Sequence, residues 1–221
     1  MHKPIIFDFD GVIVDSEPLA NRALDDTLTA MGMPTTIEEA MRDYIGLRMS
    51  DCVLAVARIH GRKPPDDFVD ACRARTAVLL REHLRPVQGA PAFIRSCVAE
   101  RTAIASSSSV RGINNSLELV GLGGHFDGRI FSAADIERGK PHPDIFLHAA
   151  RGLDASPADC IVIEDGTLGV KGAVAAGMTV IGLTAGSHCG PDHANRLRDA
   201  GAHIVANSYA EVALLVRSFT E

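Results

Sequence analysis

Apolar positions along the chain follow two rhythms. Pro4-Ile5-Ile6-Phe7 is a short run that ends at Asp8, which predicts a buried strand whose end carries acid. From Asp15 to about Leu84 the pattern turns helical. Ser16 and Pro18 open a segment whose Leu24, Leu28 and Met31 share a face before Gly32 stops it. Thr36 and Glu39 have capping-box spacing, and Ser50 is expected as the N-cap of a segment closed by Gly61. Pro64-Pro65 begins a further helix, with Phe68, Cys72, Thr76, Leu79, Leu80 and His83 on one stripe. After Pro86-Val87-Gln88-Gly89 the rhythm becomes strand, helix, strand, helix. Strands are predicted at 102–105, 129–131, 160–163, 179–183 and 203–205, with helices near 90–100, 110–120, 142–153, 167–177, 191–200 and 208–218. Helices of that length can cross over between parallel strands. The expectation is an α/β fold: a Rossmann-like parallel sheet core over 1–14 and 88–221, with an all-helical cap domain, 15–87, inserted after the first strand.

Composition sharpens this picture. The 221 residues are 46% apolar and 23% charged, enough for one good-sized core or for a core plus a small second domain, which excludes a disordered or fibrous chain. A net charge of -6 and the lack of a long basic run argue against a nucleic-acid partner. No run approaches the roughly 18 apolar residues of a membrane span, and the start of the chain lacks a signal-peptide pattern, so a cytoplasmic protein with no membrane partner is expected. Five widely spaced cysteines without a CxxC read mostly as small buried apolar residues.

In an open parallel sheet, ligands lie beyond the carboxyl ends of the strands. There the sequence places Asp8-Phe9-Asp10-Gly11, Ser106-Ser107-Ser108-Ser109, Ser132 and Glu164-Asp165-Gly166, with Lys140 in a Gly-Lys-Pro turn between the last two. Carboxylates packed about 4 Å apart at an effective dielectric near 20 repel by about 4 kcal/mol per pair. A divalent cation would relieve that repulsion, and all-oxygen donors point to Mg²⁺ rather than zinc. A lone Asp-x-Asp would be an ordinary turn. The combination of acid pair, hydroxyl, lysine and second acid pair at separate strand ends favours a site.

These residues resemble the haloacid dehalogenase-like hydrolase superfamily, in particular its β-phosphoglucomutase-like phosphatase branch with a helical cap. Asp8-Phe9-Asp10-Gly11-Val12 is similar to its first motif, Ser106 to its second, Lys140 in Gly139-Lys140-Pro141-His142-Pro143-Asp144 to its third and Glu164-Asp165 to its fourth. The resemblance covers essentially the whole chain and implies a Mg²⁺-dependent phosphatase working through an aspartyl phosphate. Asp8 would be the nucleophile. Asp10 would protonate the leaving alkoxide and then activate water, and it argues against carbon–halogen chemistry, because the dehalogenases lack it. Asp8, the Asp10 carbonyl, Asp165 and Glu164 would serve the metal, with Lys140 adding a fixed positive charge. Ser106 would donate to a phosphoryl oxygen, with the backbone N–H groups of Phe9 and Ser107, and Ser108 beside them, completing the substrate-binding set.

The family's mutases carry further groups, and here the chain departs from them. Ala20 stands where they have a gating His, Ile45 where they have a cap Lys, and Ser109-Val110 where they have Lys-Asn. That favours a phosphatase acting on a small phosphorylated metabolite, with a mutase as the alternative. Ile45 to Ser50 resembles the family's substrate-specificity loop, with Gly46 permitting close approach and Arg48 as the cation meeting the substrate. The stretch 131–146 resembles the 6-phosphogluconate phosphatases, which suggests a sugar or sugar-acid phosphate. Closure of the cap would exclude water during phosphoryl transfer. A monomer is expected.

A non-enzymatic alternative is an aspartate-phosphorylated receiver domain, which also joins a parallel sheet, an acid pair, a hydroxyl, a Lys and Mg²⁺. Its acid pair comes first and its acceptor Asp in mid-chain, the reverse of the order here. His188, Cys189 and His193 are metal-ligand types, but their loop fits no strong zinc spacing. Gly166, Gly169, Gly172 and Gly177 read as packing positions on the sheet.

Overall fold

The computed structural model describes residues 3–36, 39, 44, 49–133 and 136–219. The chain divides into two compact units, one formed by Met1–Asp15 with Arg85–Glu221 and the other by Ser16–Leu84.

The larger unit is built on a six-stranded, all-parallel sheet: β1 (Ile5–Phe7), β2 (Thr102–Ser106), β3 (Ile130–Ser132), β4 (Ile161–Glu164), β5 (Thr179–Leu183) and β6 (Ile204–Ala206), in the order β3-β2-β1-β4-β5-β6. β1 lies at the middle, with Phe7 registered against Ile104 on one side and Ile163 on the other. Strands β1, β2 and β4 are buried at every position, as expected where crossover helices cover both faces of a parallel sheet. On one face Ile6, Val162 and Val180 pack with Ile145, Phe146, Val170 and Leu197. Phe7 meets Phe93 and Phe126 edge-on, with ring centroids 6.2 and 6.0 Å apart. Because strand order reverses at β1, the crevice at its carboxyl end is the switch point of the sheet.

The smaller unit contains α1 (Glu17–Ala30), α2 (Met49–His60) and α3 (Phe68–His83). Its core gathers Leu24, Leu28, Met33, Tyr44, Cys52, Val56, Phe68 and Cys72. The capping box forms as the spacing predicts: Thr36 N–H donates to Glu39 Oε2 at 2.9 Å, and Glu39 N–H donates to Thr36 Oγ1 at 3.2 Å. Two details differ from expectation. Ser50 lies inside α2 rather than capping it. His83, at the far end of the α3 stripe, is exposed, because the burial supplied by Phe68, Cys72 and Leu79 ends a turn earlier.

The sheet helices are α4 (Ala90–Ser96), α5 (Val110–Leu119), α6 (Asp144–Gly152), α7 (Thr167–Ala175), α8 (His193–Asp199) and α9 (Tyr209–Ser218). Helix α6 starts two residues later than the pattern predicts, because Pro141 and Pro143 hold the approach as a turn and Pro143 takes the N-cap. Among the described residues, no helix is long and apolar enough to cross a membrane.

Candidate active site

All six strands run the same way, so their carboxyl ends share one edge. Asp8 follows β1, Ser106 and Ser132 close β2 and β3, and Glu164 closes β4 with Asp165 directly after it. Carboxylate oxygens of Asp8, Glu164 and Asp165 lie within 4.8 Å of one another. Lys140 joins the cluster from the turn before α6. Its Nζ lies 2.8 Å from Asp8 Oδ1 and 2.8 Å from Glu164 Oε2. The turn is strapped by Arg138, whose Nε and Nη2 donate to the two carboxylate oxygens of Asp144 at 3.2 and 3.0 Å.

Next to the cluster, the segment after Asp8 coils tightly. The Phe9 carbonyl accepts from Ile13 N–H at 2.9 Å, and Gly11 N–H donates to the Val14 carbonyl at 2.8 Å. Gly11 sits at φ +76°, and a Cβ there would lie 1.9 Å from Asp165 Oδ2, so the position requires glycine on both counts. Asp10 is oriented by Ser108, whose hydroxyl donates to Asp10 Oδ2 at 2.7 Å. Ser108 is fixed in turn: its N–H donates to Ser106 Oγ at 3.0 Å, and its carbonyl accepts from Ser132 Oγ at 2.9 Å. Ser106 is an acceptor in that bond, which leaves its O–H able to donate elsewhere. Ser107 is exposed.

Glu164 is held from both sides, since its Oε1 accepts from Gly166 N–H at 3.0 Å. A Cβ on Gly169 would reach within 2.1 Å of the Glu164 carboxyl carbon, so this glycine serves the site as well as the packing of α7.

Charge in the cluster is under-compensated. Burial first, then the Asp8 carboxylate, push both Glu164 and Asp165 well above the usual carboxylate range, and Lys140 pulls them only partly back. For Lys140, burial acts to lower its pKa, yet Asp8 and Glu164 outweigh it and hold the ammonium charged above its ordinary value. Three clustered carboxylates facing one ammonium, with oxygen donors throughout, fit a hard divalent cation such as Mg²⁺. Without metal, the folded state binds protons at Glu164 and Asp165 more tightly than the unfolded chain does. Stability is therefore expected to fall as pH rises from their ordinary values of 4.5 and 3.8 through the raised ones. Melting curves in chelator at several pH values should show that decline, and Mg²⁺ should offset it most at the alkaline end. A flat profile in chelator would contradict the charge assignment.

The loop after β5 brings in His188 and His193, whose spacing in the sequence fits no strong zinc motif. His188 Nε2 lies 3.0 Å from Asp165 Oδ2, and His193 Nε2–H donates to the Asp165 carbonyl at 2.6 Å. Their rings meet edge-on at 5.4 Å. Burial lowers the pKa of His193, and His188 and Arg196 add to the effect against the bond to Asp165. The thiol of Cys189 is pushed up to about 12 by burial and by Asp165, which disfavours its thiolate. The signal available in the sequence was position alone, since this loop also follows a strand at the ligand-binding edge.

The sheet therefore brings together Asp8, Lys140, Glu164 and Asp165, with Asp10, Ser106 and Ser108 linked beside them. The expected substrate-facing residues Gly46 and Arg48, and Ile45 of the same loop, lie outside the described residues.

Fold and cluster define a doubly wound α/β protein with its acidic residues gathered at the switch point of a parallel sheet. More particularly, the chain belongs to the haloacid dehalogenase-like hydrolases, whose family profile matches residues 5–183. Among its relatives, the 6-phosphogluconate phosphatase of Escherichia coli (strain K12) is 27% identical over 86% of this chain and 86% of its own length. Hexitol phosphatase B of the same strain is 31% identical over 94% of this chain and 92% of its own. A hydrolase of this family from Deinococcus radiodurans R1, with phosphate and sodium bound, superposes with a TM-score of 0.81 at 32% identity, covering 99% of this chain and 96% of its own. The chain is a phosphoric monoester hydrolase, and the receiver-domain alternative is set aside.

Proposed function

We propose that this enzyme is a Mg²⁺-dependent phosphatase of small phosphorylated sugars or sugar acids, acting as a cytoplasmic monomer through an aspartyl phosphate on Asp8. The observation that carries the reading is the cluster itself: three carboxylates within 4.8 Å, and a buried lysine 2.8 Å from two of them. Asp8 attacks phosphorus as the bond to the substrate oxygen breaks, and Asp10 gives its proton to the departing alkoxide. In the second half, Asp10 takes a proton from water as its oxygen attacks the aspartyl phosphate, releasing inorganic phosphate and restoring Asp8. The hydroxyl of Ser106 and the N–H groups of Phe9 and Ser107 hold phosphoryl oxygens, with Ser108 keeping Asp10 aimed. Lys140 supplies a fixed positive charge where two anions must meet. Asp8, the Asp10 carbonyl, Asp165 and Glu164 would hold the cation, which when bound neutralises charge on the transferring group.

Hydrolysis is preferred to mutase chemistry because Ala20, Ile45 and Ser109-Val110 stand where the mutases have a His, a Lys and Lys-Asn, which leaves fewer cations for a second phosphate. The side chain at Ser109 is already used, since it caps α5 by accepting from Gly112 N–H at 3.2 Å. The names of the relatives suggest substrates, with 6-phosphogluconate and hexitol phosphates first among them.

The test is phosphate release across a panel of these compounds and β-glucose 1-phosphate, each with Mg²⁺ and with chelator. Mg²⁺-dependent release concentrated on one compound is expected. Conversion of β-glucose 1-phosphate to glucose 6-phosphate without phosphate release would establish the mutase instead. Asp10→Asn is expected to lower kcat by about 10²- to 10⁴-fold while substrate still binds. Near-normal turnover in that variant would remove Asp10 from the mechanism.

A further inference from the structure

We infer that the loop between β5 and α8 is a positioning device for Asp165, and that its hold sets how tightly the core binds its divalent cation. The inference rests on the reading of Asp8, Glu164 and Asp165 as metal ligands. It starts from the way Asp165 is gripped twice from one loop. His188 meets its side chain, Nε2 to Oδ2 at 3.0 Å, and His193 meets its main chain, Nε2 to the carbonyl at 2.6 Å.

The grip is built rather than incidental. His188 is enclosed, its side chain only 6% exposed. Its ring occupies a slot between two glycines: a Cβ on Gly11 would stand 2.8 Å from His188 Cε1, and one on Gly186 would stand 2.7 Å from the same atom. A side chain at either position would collide with the ring. The loop is also tied to the segment that leaves the nucleophile, because Ser187 N–H donates to Asp15 Oδ1 at 3.0 Å. On the second ring, Arg196 Nη2 donates to His193 Nδ1 at 2.9 Å. That bond makes Nδ1 an acceptor and leaves the ring proton on Nε2, the atom that faces the Asp165 carbonyl. A chain of donors thus runs from Arg196 through His193 to the Asp165 backbone.

A carboxylate that must serve a cation loses affinity if it can rotate away, and partners that fix a ligand's orientation are typically worth about 10- to 100-fold in metal affinity. With Oδ2 engaged by His188, the carboxylate is fixed in its orientation beside Asp8 and Glu164. Neither histidine touches substrate in this scheme; both act through Asp165.

The experiment titrates Mn²⁺ into the full chain and follows free Mn²⁺ by electron paramagnetic resonance, with melting temperatures measured in chelator alongside. His188→Ala is expected to weaken Mn²⁺ binding by about 10- to 100-fold. His188→Gln, whose amide N–H can replace Nε2–H, should restore most of the loss. In activity, the Mg²⁺ concentration for half-saturation should rise while the KM for substrate stays near the parent value. Arg196 is exposed, so Arg196→Ala tests the second grip without disturbing the core and should give a smaller loss in the same direction. Parental Mn²⁺ affinity in both His188→Ala and Arg196→Ala would overturn the inference. If His188→Ala does not fold, Arg196→Ala decides: a loss of Mn²⁺ affinity there upholds the inference and unchanged affinity overturns it. A parent protein that binds no Mn²⁺ would instead overturn the metal-site reading, and this inference with it.

Discussion

Asp8→Asn is expected to lower phosphate release by about 10⁴-fold or more while leaving the protein folded. The amide has the shape of the carboxylate, and its oxygen can still accept from Lys140, which stands 2.8 Å from Asp8 Oδ1. What it cannot do is attack phosphorus, so no acyl phosphate forms. Two measurements check this together. Phosphate release is assayed at saturating substrate, and acid-quenched enzyme is weighed by mass spectrometry during turnover. The parent should carry one added phosphoryl group and the variant none. Turnover by Asp8→Asn near the parental rate would remove Asp8 as the nucleophile, whatever happens at Asp10.

Lys140→Met should strike stability as well as rate. Lys140 is enclosed, with its side chain 9% exposed, and it neutralises Asp8 and Glu164 together. Removing one partner of a buried ion pair leaves uncompensated charge and typically costs about 3–5 kcal/mol. For a chain of this size that corresponds to a fall in melting temperature on the order of 10 °C. The loss has a pH signature. With the ammonium gone, Glu164 loses the partner that pulls its pKa back down and takes up a proton more readily, so the deficit should shrink toward acid pH and widen toward alkaline pH. Differential scanning calorimetry of parent and variant in chelator reads both the size and the slope. An equal deficit at all pH values would show that Lys140 matters for packing rather than for charge.

Much of this was legible in the sequence, for physical reasons that also mark where legibility stopped. A parallel strand buried on both faces leaves an uninterrupted apolar run, and a run that ends in Asp, Ser or Glu-Asp marks the sheet edge where chemistry gathers. Thus β1 with Asp8 and β4 with Glu164 could be read directly. Helix ends were less exact because caps compete: Pro143 displaced the start of α6 to Asp144, and Ser50 fell within α2. The bonds that aim the site were hidden. Ser108 is one of four consecutive serines, and only the fold shows that its hydroxyl faces Asp10 while Ser109 caps a helix. His188 and His193 have no strong zinc spacing in the sequence, so nothing local ties them to the site. Their ring nitrogens serve Asp165, a residue more than twenty positions earlier, which no local pattern reveals.

The place of β1 in the sheet also has a consequence for how the molecule comes into being. The strand that leads into Asp8 leaves the ribosome before both of its neighbours, which begin at Thr102 and Ile161. Between them and β1 lies Ser16–Leu84, a compact unit with a core of its own. Contacts of such sequence separation form slowly, since long loops must close before the pairing stabilises anything. During synthesis the helical insertion can collapse while β1 still waits with both edges open, and the acid cluster cannot assemble until β4 has emerged. A nascent chain that stops short of β4 thus lacks two of the three carboxylates of the cluster, whatever has folded before it.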